Sequence, residues 1–339
     1  MVTGNRYSRN KVIDFYKGML MFGVIWGHTI TALRAGMGES VWLLTFFRTY
    51  DMPFFMLLSG FFLARSMEKR SWTHELVNKV RHLAIPVILW EILINIWGPV
   101  FESIRNLFSL WFLWSAIGCS FIMIILCGII KRKRWQILIS ILLILAFHMT
   151  DLIPFNLGYM FPFFVIGYYL KDLSDFIKGR TRRILMICAM IGFIVLQCFW
   201  SGQYNVWNAG TSLLSGIENI EFIIFMRGMI GITGCITMKV VFDACYLYLS
   251  NKNSVLIDFW VKVGQNTMPL YILQSVIIEN LLGKFIMFLC TQIGYNPLVI
   301  NMKLLGVMIA PCLALAAIVL ELYIVKFIKK IPRISAWLL

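Results

Sequence analysis

Long apolar runs alternate with short polar loops along the whole chain, and this alternation is its dominant pattern. A run of about 20 apolar residues is long enough to cross a bilayer as one helix. The pattern therefore predicts an all-α, polytopic integral membrane protein with about ten transmembrane helices. The predicted spans are residues 12–33, 42–64, 83–101, 110–130, 135–150, 156–172, 184–201, 221–249, 263–291 and 303–328.

Composition agrees with this pattern and excludes an ordinary soluble domain. Hydrophobic residues make up 60% of the 339 positions, charged residues make up 14%, and the mean hydropathy is +0.81. Such a balance is typical of polytopic membrane proteins. We expect a single transmembrane domain over residues 1–339. The first apolar run contains charges and lacks a small-residue cleavage site, so it does not have the features of a signal peptide.

The net charge of +15 is explained by where the basic residues lie. They concentrate in alternate loops, such as residues 131–134 and 178–183, and are sparse in the loops between. Because positive charge marks the cytoplasmic loops of membrane proteins, this distribution predicts that both termini are cytoplasmic. Topology thus accounts for the charge, and the sequence indicates no nucleic acid partner.

The first predicted span contains three ionisable residues, Asp14, Lys17 and His28. A charged side chain in hydrocarbon costs roughly 2.5–3.5 kcal/mol on insertion scales, so these residues suggest a functional site. The eleven positions from Lys17 to His28 return them to nearly one helix face, about 16 Å apart. Asp14 lies within about 40° of that face. Histidine exchanges protons near neutral pH, whereas the structural alternative is a lysine that snorkels to the interface and a packed histidine.

Other polar residues could line the same interior or simply stabilise helix contacts. Arg48 and Asp51 are three positions apart in the second span, where they could pair locally, and Pro53 is expected to kink that helix. Glu91 lies in the third span and Gln274 in the ninth, where helix–helix polar contact is the alternative role. Two basic residues, Lys79 and Arg81, lie at the start of the third helix. They could bind phosphates or act only as topology signals.

Several segments resemble the membrane acyltransferase 3 family, the O-acetyltransferases of sugars and surface glycans, and in particular its fucose 4-O-acetylase-like branch. Residues 13–18 followed by Gly27 and His28 match the family pattern Asp-x-x-Arg/Lys-Gly and the pattern of a basic residue, ten intervening positions and a histidine. Where the family often has histidine, this chain has Asp51 before Met52-Pro53 and Gln274 after the Tyr-Leu-Leu segment. The other matching segments are residues 52–55, 58–61, 79–86, 110–113 and 264–273.

The resemblance implies transfer of an acyl group, usually acetyl from acetyl-CoA, to a sugar hydroxyl. His28 would be the general base, and Lys17, with Lys79 and Arg81, would position the donor and its phosphates. Asp14 would complete the catalytic group. Arg48, Asp51, Glu91 and Gln274 are the further substrate-binding candidates. We expect an acyl-CoA donor substrate, a glycan acceptor and a bilayer as partners, no tightly bound cofactor or metal, and location in a bacterial-type inner membrane.

Two other functions fit parts of the same pattern. A transporter or exporter of a glycan or lipid-linked sugar could line its conduit with the polar residues of the first span. The absence of matched, broken half-helices weakens an inverted-repeat transporter without excluding it. A non-catalytic scaffold is disfavoured by the number of ionisable residues in predicted spans.

Overall fold

The computed structural model describes residues 10–33, 42–97, 110–149, 156–204, 212–213, 216–252, 254–283 and 305–331, with the single residues 285, 288, 292 and 338. Within these ranges all regular secondary structure is helical, as the sequence predicts. The helices are α1 (Lys11–Leu33), α2 (Trp42–Arg48), α3 (Asp51–Met67), α4 (Trp72–Lys79), α5 (Ile85–Trp97), α6 (Trp111–Ile129), α7 (Lys133–His148), α8 (Leu157–Tyr168), α9 (Leu170–Phe176), α10 (Gly179–Phe199), α11 (Ile220–Lys252), α12 (Ser254–Gln265), α13 (Thr267–Gln274) and α14 (Ala310–Ile328).

Four of these helical segments are long and apolar enough to cross a membrane, among the residues that the structure describes. They are Trp111–Ile129, Gly179–Phe199, Ile220–Lys252 and Gly306–Ile328. Helix α1 has 23 residues and is not one of these four segments, and it contains the charged residues Asp14 and Lys17. The prediction of ten spans with cytoplasmic termini stays a prediction.

The predicted span 42–64 is wrong as a single helix. The structure divides it at a turn formed by Thr49 and Tyr50, so that Asp51 begins α3 and Pro53 lies in its first turn. Proline is tolerated there because the amide groups of a first turn have no intrahelical acceptor. The side chain of Asp51 accepts the amide of Met52 at 2.6 Å, which satisfies one of those donors.

Other predicted span boundaries also differ from the helix boundaries in the structure. The span 156–172 ends at Tyr168, and a turn at Tyr169 precedes α9. The span 263–291 begins earlier, at Ser254, and Asn266 separates α12 from α13. Short π-helical segments then continue α4 over Val80–Ala84 and α13 over Ser275–Leu282, and another precedes α14 over Leu305–Ile309. Residues 98–101, 150, 284, 286–287, 289–291 and 303–304 of the predicted spans lie outside the described residues.

The chain forms two compact units. The first unit comprises Met1–Leu44 and Met238–Pro332, and the second comprises Thr45–Thr237 and Arg333–Leu339. Helix α11 contributes residues to both units, since the division falls between Thr237 and Met238.

Helix α1 is the centre of the first unit and packs against α12, α13 and α14. Its crossing with α12 depends on two glycines. A Cβ atom at Gly18 would lie 2.1 Å from the carbonyl oxygen of Trp260, and one at Gly264 would lie 1.7 Å from that of Asp14. Without side chains at these positions the two backbones approach closely, and this approach holds the N-terminal part of α1 against α12.

The second unit is organised around the pairing of α3 with α8. A Cβ atom at Gly60 would lie 2.0 Å from the carbonyl oxygen of Phe164, and one at Gly167 would lie 1.9 Å from that of Leu57. Gly60 belongs to the segment 58–61 that the sequence singles out. Its role here is close helix packing.

Large apolar side chains also cover outward faces of the helices. On α10, Ile187, Ile191 and Ile194 follow one another at helical spacing and are more than half exposed. In water such a face would be unfavourable, because burial of apolar area is the main favourable term in folding. A lipid environment removes that cost.

We expect Gly264→Ala to destabilise the purified protein, because its new methyl group would collide with the backbone of α1. Overpacking of this kind costs about 1–3 kcal/mol of unfolding free energy. Thermal unfolding in detergent would measure the change. Gly228→Ala in α11 is the matched control, because no atom lies within 4 Å of its added Cβ and alanine favours the helix. Equal destabilisation of the two variants would contradict the close-packing argument.

Candidate active site

The N-terminal part of α1 carries an ion pair that is shielded from solvent. The ammonium of Lys17 lies 3.2 Å from Oδ1 of Asp14, one helical turn away, and the two side chains are 18% and 4% exposed. The side-chain amide of Gln265 on α12 donates to Oδ2 of Asp14 at 3.4 Å. Asp14 therefore has donors at both carboxylate oxygens, and it keeps a balancing negative charge next to Lys17.

A second acidic group lies beside the same end of α1. The hydroxyl of Tyr16 donates to Oδ1 of Asp243 on α11, and the ammonium of Lys239 donates to Oδ2 at 2.6 Å. Neither Asp243 nor Lys239 is among the sequence candidates. The available signal was an acid and a base four positions apart within an apolar run, which is the spacing of a helical ion pair.

His28 lies farther along the same uninterrupted helix and is half-buried. Near it, Gly27 approaches the side chain of Leu44, and the indole of Trp26 donates to the backbone carbonyl of Gly306 at 2.8 Å. These contacts hold the C-terminal part of α1 in the first unit. At 1.5 Å per residue the helix places His28 about 16 Å from Lys17.

Two buried polar side chains of the first unit lie on α13 and α14, which both pack against α1. Gln274 ends α13 and is 2% exposed, and Glu321 lies in α14 with no exposed surface. Gln274 is a sequence candidate, whereas Glu321 was missed. The signal for Glu321 was a carboxylate in the middle of the apolar run that forms α14.

The other sequence candidates belong to the second unit. Arg48 ends α2 and Asp51 begins α3, on either side of the Thr49–Tyr50 turn, and Asp51 is 4% exposed. The amide of Gln197 donates to the hydroxyl of Thr49 at 2.9 Å and joins α10 to this turn.

A buried arginine in the second unit was not among the site predictions. Arg227, on α11, is 2% exposed, and its guanidinium carbon lies 4.5 Å from the centroid of the Tyr159 ring. A cation over an aromatic face is favoured by the ring quadrupole, more so when water is excluded. The signal for Arg227 was a charged residue inside the predicted span 221–249, which also contains Lys239 and Asp243.

Glu91 has a structural role in the second unit. Its Oε1 accepts the backbone amide of Leu110 at 2.8 Å and the indole of Trp114 at 3.2 Å. The carboxylate thus satisfies amide donors at the start of α6, which an isolated helix leaves without partners. It also joins α5 to α6.

The basic residues of the segment 79–86 differ in their surroundings. Lys79 is half-buried at the end of α4, and burial lowers the pKa of its ammonium while the carboxylate of Glu75 opposes that shift. Arg81, in the π-helical continuation of α4, is exposed. Glu75 itself is buried and accepts the hydroxyl of Ser66 at 2.6 Å, with Arg70 at 3.5 Å. No cluster of three or more His, Cys, Asp or Glu side chains suited to a metal occurs in the part of the chain that the structure describes.

Comparison with known proteins assigns the chain to a protein family. The family described as "Acyltransferase domain" matches residues 10–326, which is most of the sequence. The chain belongs to the acyltransferase 3 family. The resemblance seen in the sequence is confirmed, and with it the assignment to a family of membrane acyltransferases.

Two relatives of this acyltransferase 3 protein are nodulation proteins. The chain is 23% identical to nodulation protein NolL of Mesorhizobium japonicum over 290 residues, covering 80% of this chain and 77% of the relative. It is 21% identical to nodulation protein NolL of Sinorhizobium fredii over 289 residues, covering 80% and 78%. No solved structure matches.

In this acyltransferase 3 chain the motif residues Asp14, Lys17 and His28 all lie on α1. The matching segment 264–273 forms the junction of α12 with α13. The structure brings Asp14 and Lys17 into contact and keeps His28 on the same helix. It places Gln274 on a neighbouring helix of the same unit. Lys79, Arg81, Arg48, Asp51 and Glu91 all belong to the second unit.

We expect Asp14→Asn to lower the stability of the protein, because it removes the carboxylate that balances the shielded Lys17 ammonium. Breaking a buried pair on one side costs about 3–5 kcal/mol, and the partial exposure of Lys17 reduces this to about 1–3 kcal/mol. Denaturant or thermal unfolding would measure it.

The matched control is Asp258→Asn, which removes the partner of Lys11 in an ion pair whose side chains are 63% and 64% exposed. Exposed pairs contribute about 0.2–1 kcal/mol, so this variant should unfold close to the wild type. A larger effect at Asp258 than at Asp14 would show that shielding does not govern the Asp14–Lys17 pair.

Proposed function

We propose that this protein is a membrane O-acyltransferase that moves an acyl group, acetyl in the first place, from cytoplasmic acyl-CoA to a hydroxyl of a cell-surface or lipid-linked sugar. The proposed location is the inner membrane of a bacterial-type cell. The proposal combines membership of an acyltransferase family with the side chains that α1 presents.

The observation that carries the proposal is the pairing of Lys17 and His28 on one uninterrupted helix. Both side chains are half-buried, and the ammonium of Lys17 lies 3.2 Å from the carboxylate of Asp14. A helix that retains a base and a cation at two depths is costly in lipid. Acyl transfer from one side of a membrane towards the other uses such groups at both depths.

His28 acts as the general base in this proposal. The acceptor O–H bond breaks as the imidazole takes the proton, an O–C bond forms to the acyl carbon, and the C–S bond of the thioester breaks. The leaving CoA thiolate finally takes up a proton. Histidine suits this step because its neutral and protonated forms are both accessible near pH 7.

Lys17 supports the donor side of the reaction. A cation in a site that excludes water stabilises developing negative charge more strongly than it would in water. Asp14 and Gln265 restrict the position of this ammonium through their contacts. This preorganisation lowers the entropy cost of donor binding, because a flexible lysine would lose side-chain entropy when it contacts the donor.

The basic segment at Lys79 and Arg81 is the proposed contact for donor phosphates, since ammonium and guanidinium groups bind phosphate oxygens. Arg48, Asp51 and Gln274 are proposed substrate contacts. Glu91 has a structural role, so the proposal does not depend on it.

We expect His28→Ala to abolish transfer of a labelled acetyl group from acetyl-CoA to glycan acceptors in membranes. His28→Gln should be equally inactive, because glutamine retains polarity but cannot act as a base at neutral pH. Loss of a general base costs about 100–10,000-fold in rate. The assay measures labelled glycan after extraction of unreacted donor.

Thr31→Val serves as the control, since it changes another half-buried polar side chain of α1 without removing a base. This variant should keep near wild-type transfer. Full acetylation by the His28→Gln variant would overturn the role of His28, and it would favour a conduit that tolerates a polar substitute.

We expect Lys79→Gln and Arg81→Gln each to raise the KM for acetyl-CoA by about tenfold, because each removes a charge-assisted contact with phosphate. The value of kcat should change much less, since these contacts exist before and during the reaction. Steady-state kinetics with varied acetyl-CoA would measure both constants. Arg134→Gln, at an exposed position of another basic loop, should leave KM unchanged. An equal rise in KM for Arg134→Gln would indicate non-specific attraction.

A further inference from the structure

Glu321 is the buried carboxylate of this protein whose surroundings are hardest to reconcile with a charge. Its side chain has no exposed surface, and neither Oε1 nor Oε2 has a hydrogen-bond partner among the described residues. The other buried carboxylates of the described chain all have donors. Those carboxylates belong to Asp14, Asp51, Glu75 and Glu91.

The position of Glu321 lies inside the first unit. The buried residues of α14 are Ala310, Ala314, Ile318, Glu321, Leu322 and Val325. They follow helical spacing, and α14 packs against α1 and α13. Glu321 therefore lies on the packed face of its helix.

Contacts at Gly306 and Lys329, on either side of Glu321 in the sequence, indicate its depth along the helix. Gly306 accepts the indole of Trp26, and Lys329 donates to the side chain of Asn266 at 2.6 Å. Glu321 is fifteen residues after Gly306 and eight before Lys329, or roughly 22 Å and 12 Å along a helix. It lies nearer the end that contains Lys329, which is the cytoplasmic end in the predicted topology.

Helices α1 and α13 pack against α14: α1 carries His28 and Lys17, whose ammonium lies beside Asp14, whereas α13 offers an acceptor and not a cation. Oε1 of Gln274, at the end of α13, is buried and likewise has no hydrogen-bond donor among the described residues. Helices α13 and α14 thus carry three buried acceptor oxygens that lack a donor. One proton on Glu321 would remove the charge and add a donor, which is the less costly way to bury a carboxyl group.

We propose that Glu321 is a proton store of the first unit, which holds a proton as the neutral carboxylic acid and exchanges it during acyl transfer. This rests on the proposed function. In each turnover the acceptor hydroxyl passes its proton to His28, and the leaving CoA thiolate receives a proton that Glu321 releases. The imidazolium of His28 then restores the proton to the Glu321 carboxylate. One proton has moved from hydroxyl to thiol, and both residues have returned to their starting states.

A first experiment detects the proton directly and needs no turnover. Infrared spectra of the purified full-length protein in nanodiscs at neutral pH should contain the C=O stretch of a buried protonated carboxylic acid. Glu321→Gln should remove that band, and Glu218→Gln, at an exposed carboxylate, should leave it. If the wild type has no such band, or if the band survives in Glu321→Gln, the proposal is wrong.

A second experiment separates proton storage from packing. Glu321→Met fills a similar volume without an ionisable group, and replacing a buried polar group that lacks partners by an apolar residue is often neutral or stabilising. We expect this variant to unfold at or above the wild-type temperature and to bind acetyl-CoA with an unchanged Kd. Its kcat should fall roughly 100-fold, because proton exchange is lost. Full transfer activity, or a loss of stability that matches the loss of activity, would overturn the proposal.

The two experiments also separate this inference from the proposed function. If the wild type transfers no acyl group to any glycan, the proposed function fails, and the exchange role of Glu321 fails with it while the infrared band remains. If the wild type and Thr31→Val transfer acetyl groups and Glu321→Met does so equally well, only the inference about Glu321 fails.

Discussion

The cost of an unbalanced charge among apolar helices is the constraint on which this structure depends. A carboxylate or ammonium removed from water must find an opposite charge, several hydrogen-bond donors or a proton. In the first unit, Asp14 balances Lys17 and also accepts from Gln265, while Asp243 accepts from Tyr16 and Lys239. These pairings anchor α1 to α12 and α11. The same contacts that lower the free-energy cost of placing charged residues of α1 in lipid also orient the side chains that are candidates for catalysis.

The helical class and the polar residues of α1 were predictable because they depend on local pattern. Hydrophobic run length predicts helices, and helical periodicity brings Asp14, Lys17 and His28 towards one face. The break at Thr49 and Tyr50 was not predictable from hydrophobicity alone, since apolar runs continue on both sides, before Arg48 and after Asp51. It reflects the end of one helix at Arg48 and the start of another at Asp51, whose side chain accepts the amide of Met52.

Contacts between distant segments account for what the sequence could not predict about the site. Tyr16 and Asp243 are 227 positions apart, and only the packing of α11 beside α1 makes them partners. Glu91 resembled a substrate contact because it is a carboxylate in an apolar span. Its true neighbours, the amide of Leu110 and the indole of Trp114, come from the start of the next helix. Periodicity within one helix contains no information about such partners.

The motif residues divide into those that bring helices together and those that can carry charge. Gly18, Gly60 and Gly264 are needed because each faces a backbone carbonyl that a Cβ atom would strike. Lys17 and His28 have no comparable packing requirement, since both are only half-buried. Gly18 adjoins Lys17 in the sequence, so a single segment sets the helix crossing and presents the cation.

Glu91 and Glu321 show how the same residue type acquires different roles at similar burial. Both lie in apolar helices and are at most 4% exposed. Glu91 meets two donors at the start of α6, so its negative charge is solvated by the protein and its role is structural. Glu321 meets none among the described residues, so charge at this position would be opposed by the full cost of desolvation. A carboxyl group in these surroundings costs less free energy to bury when it is protonated. Acyl transfer to a hydroxyl must also move a proton.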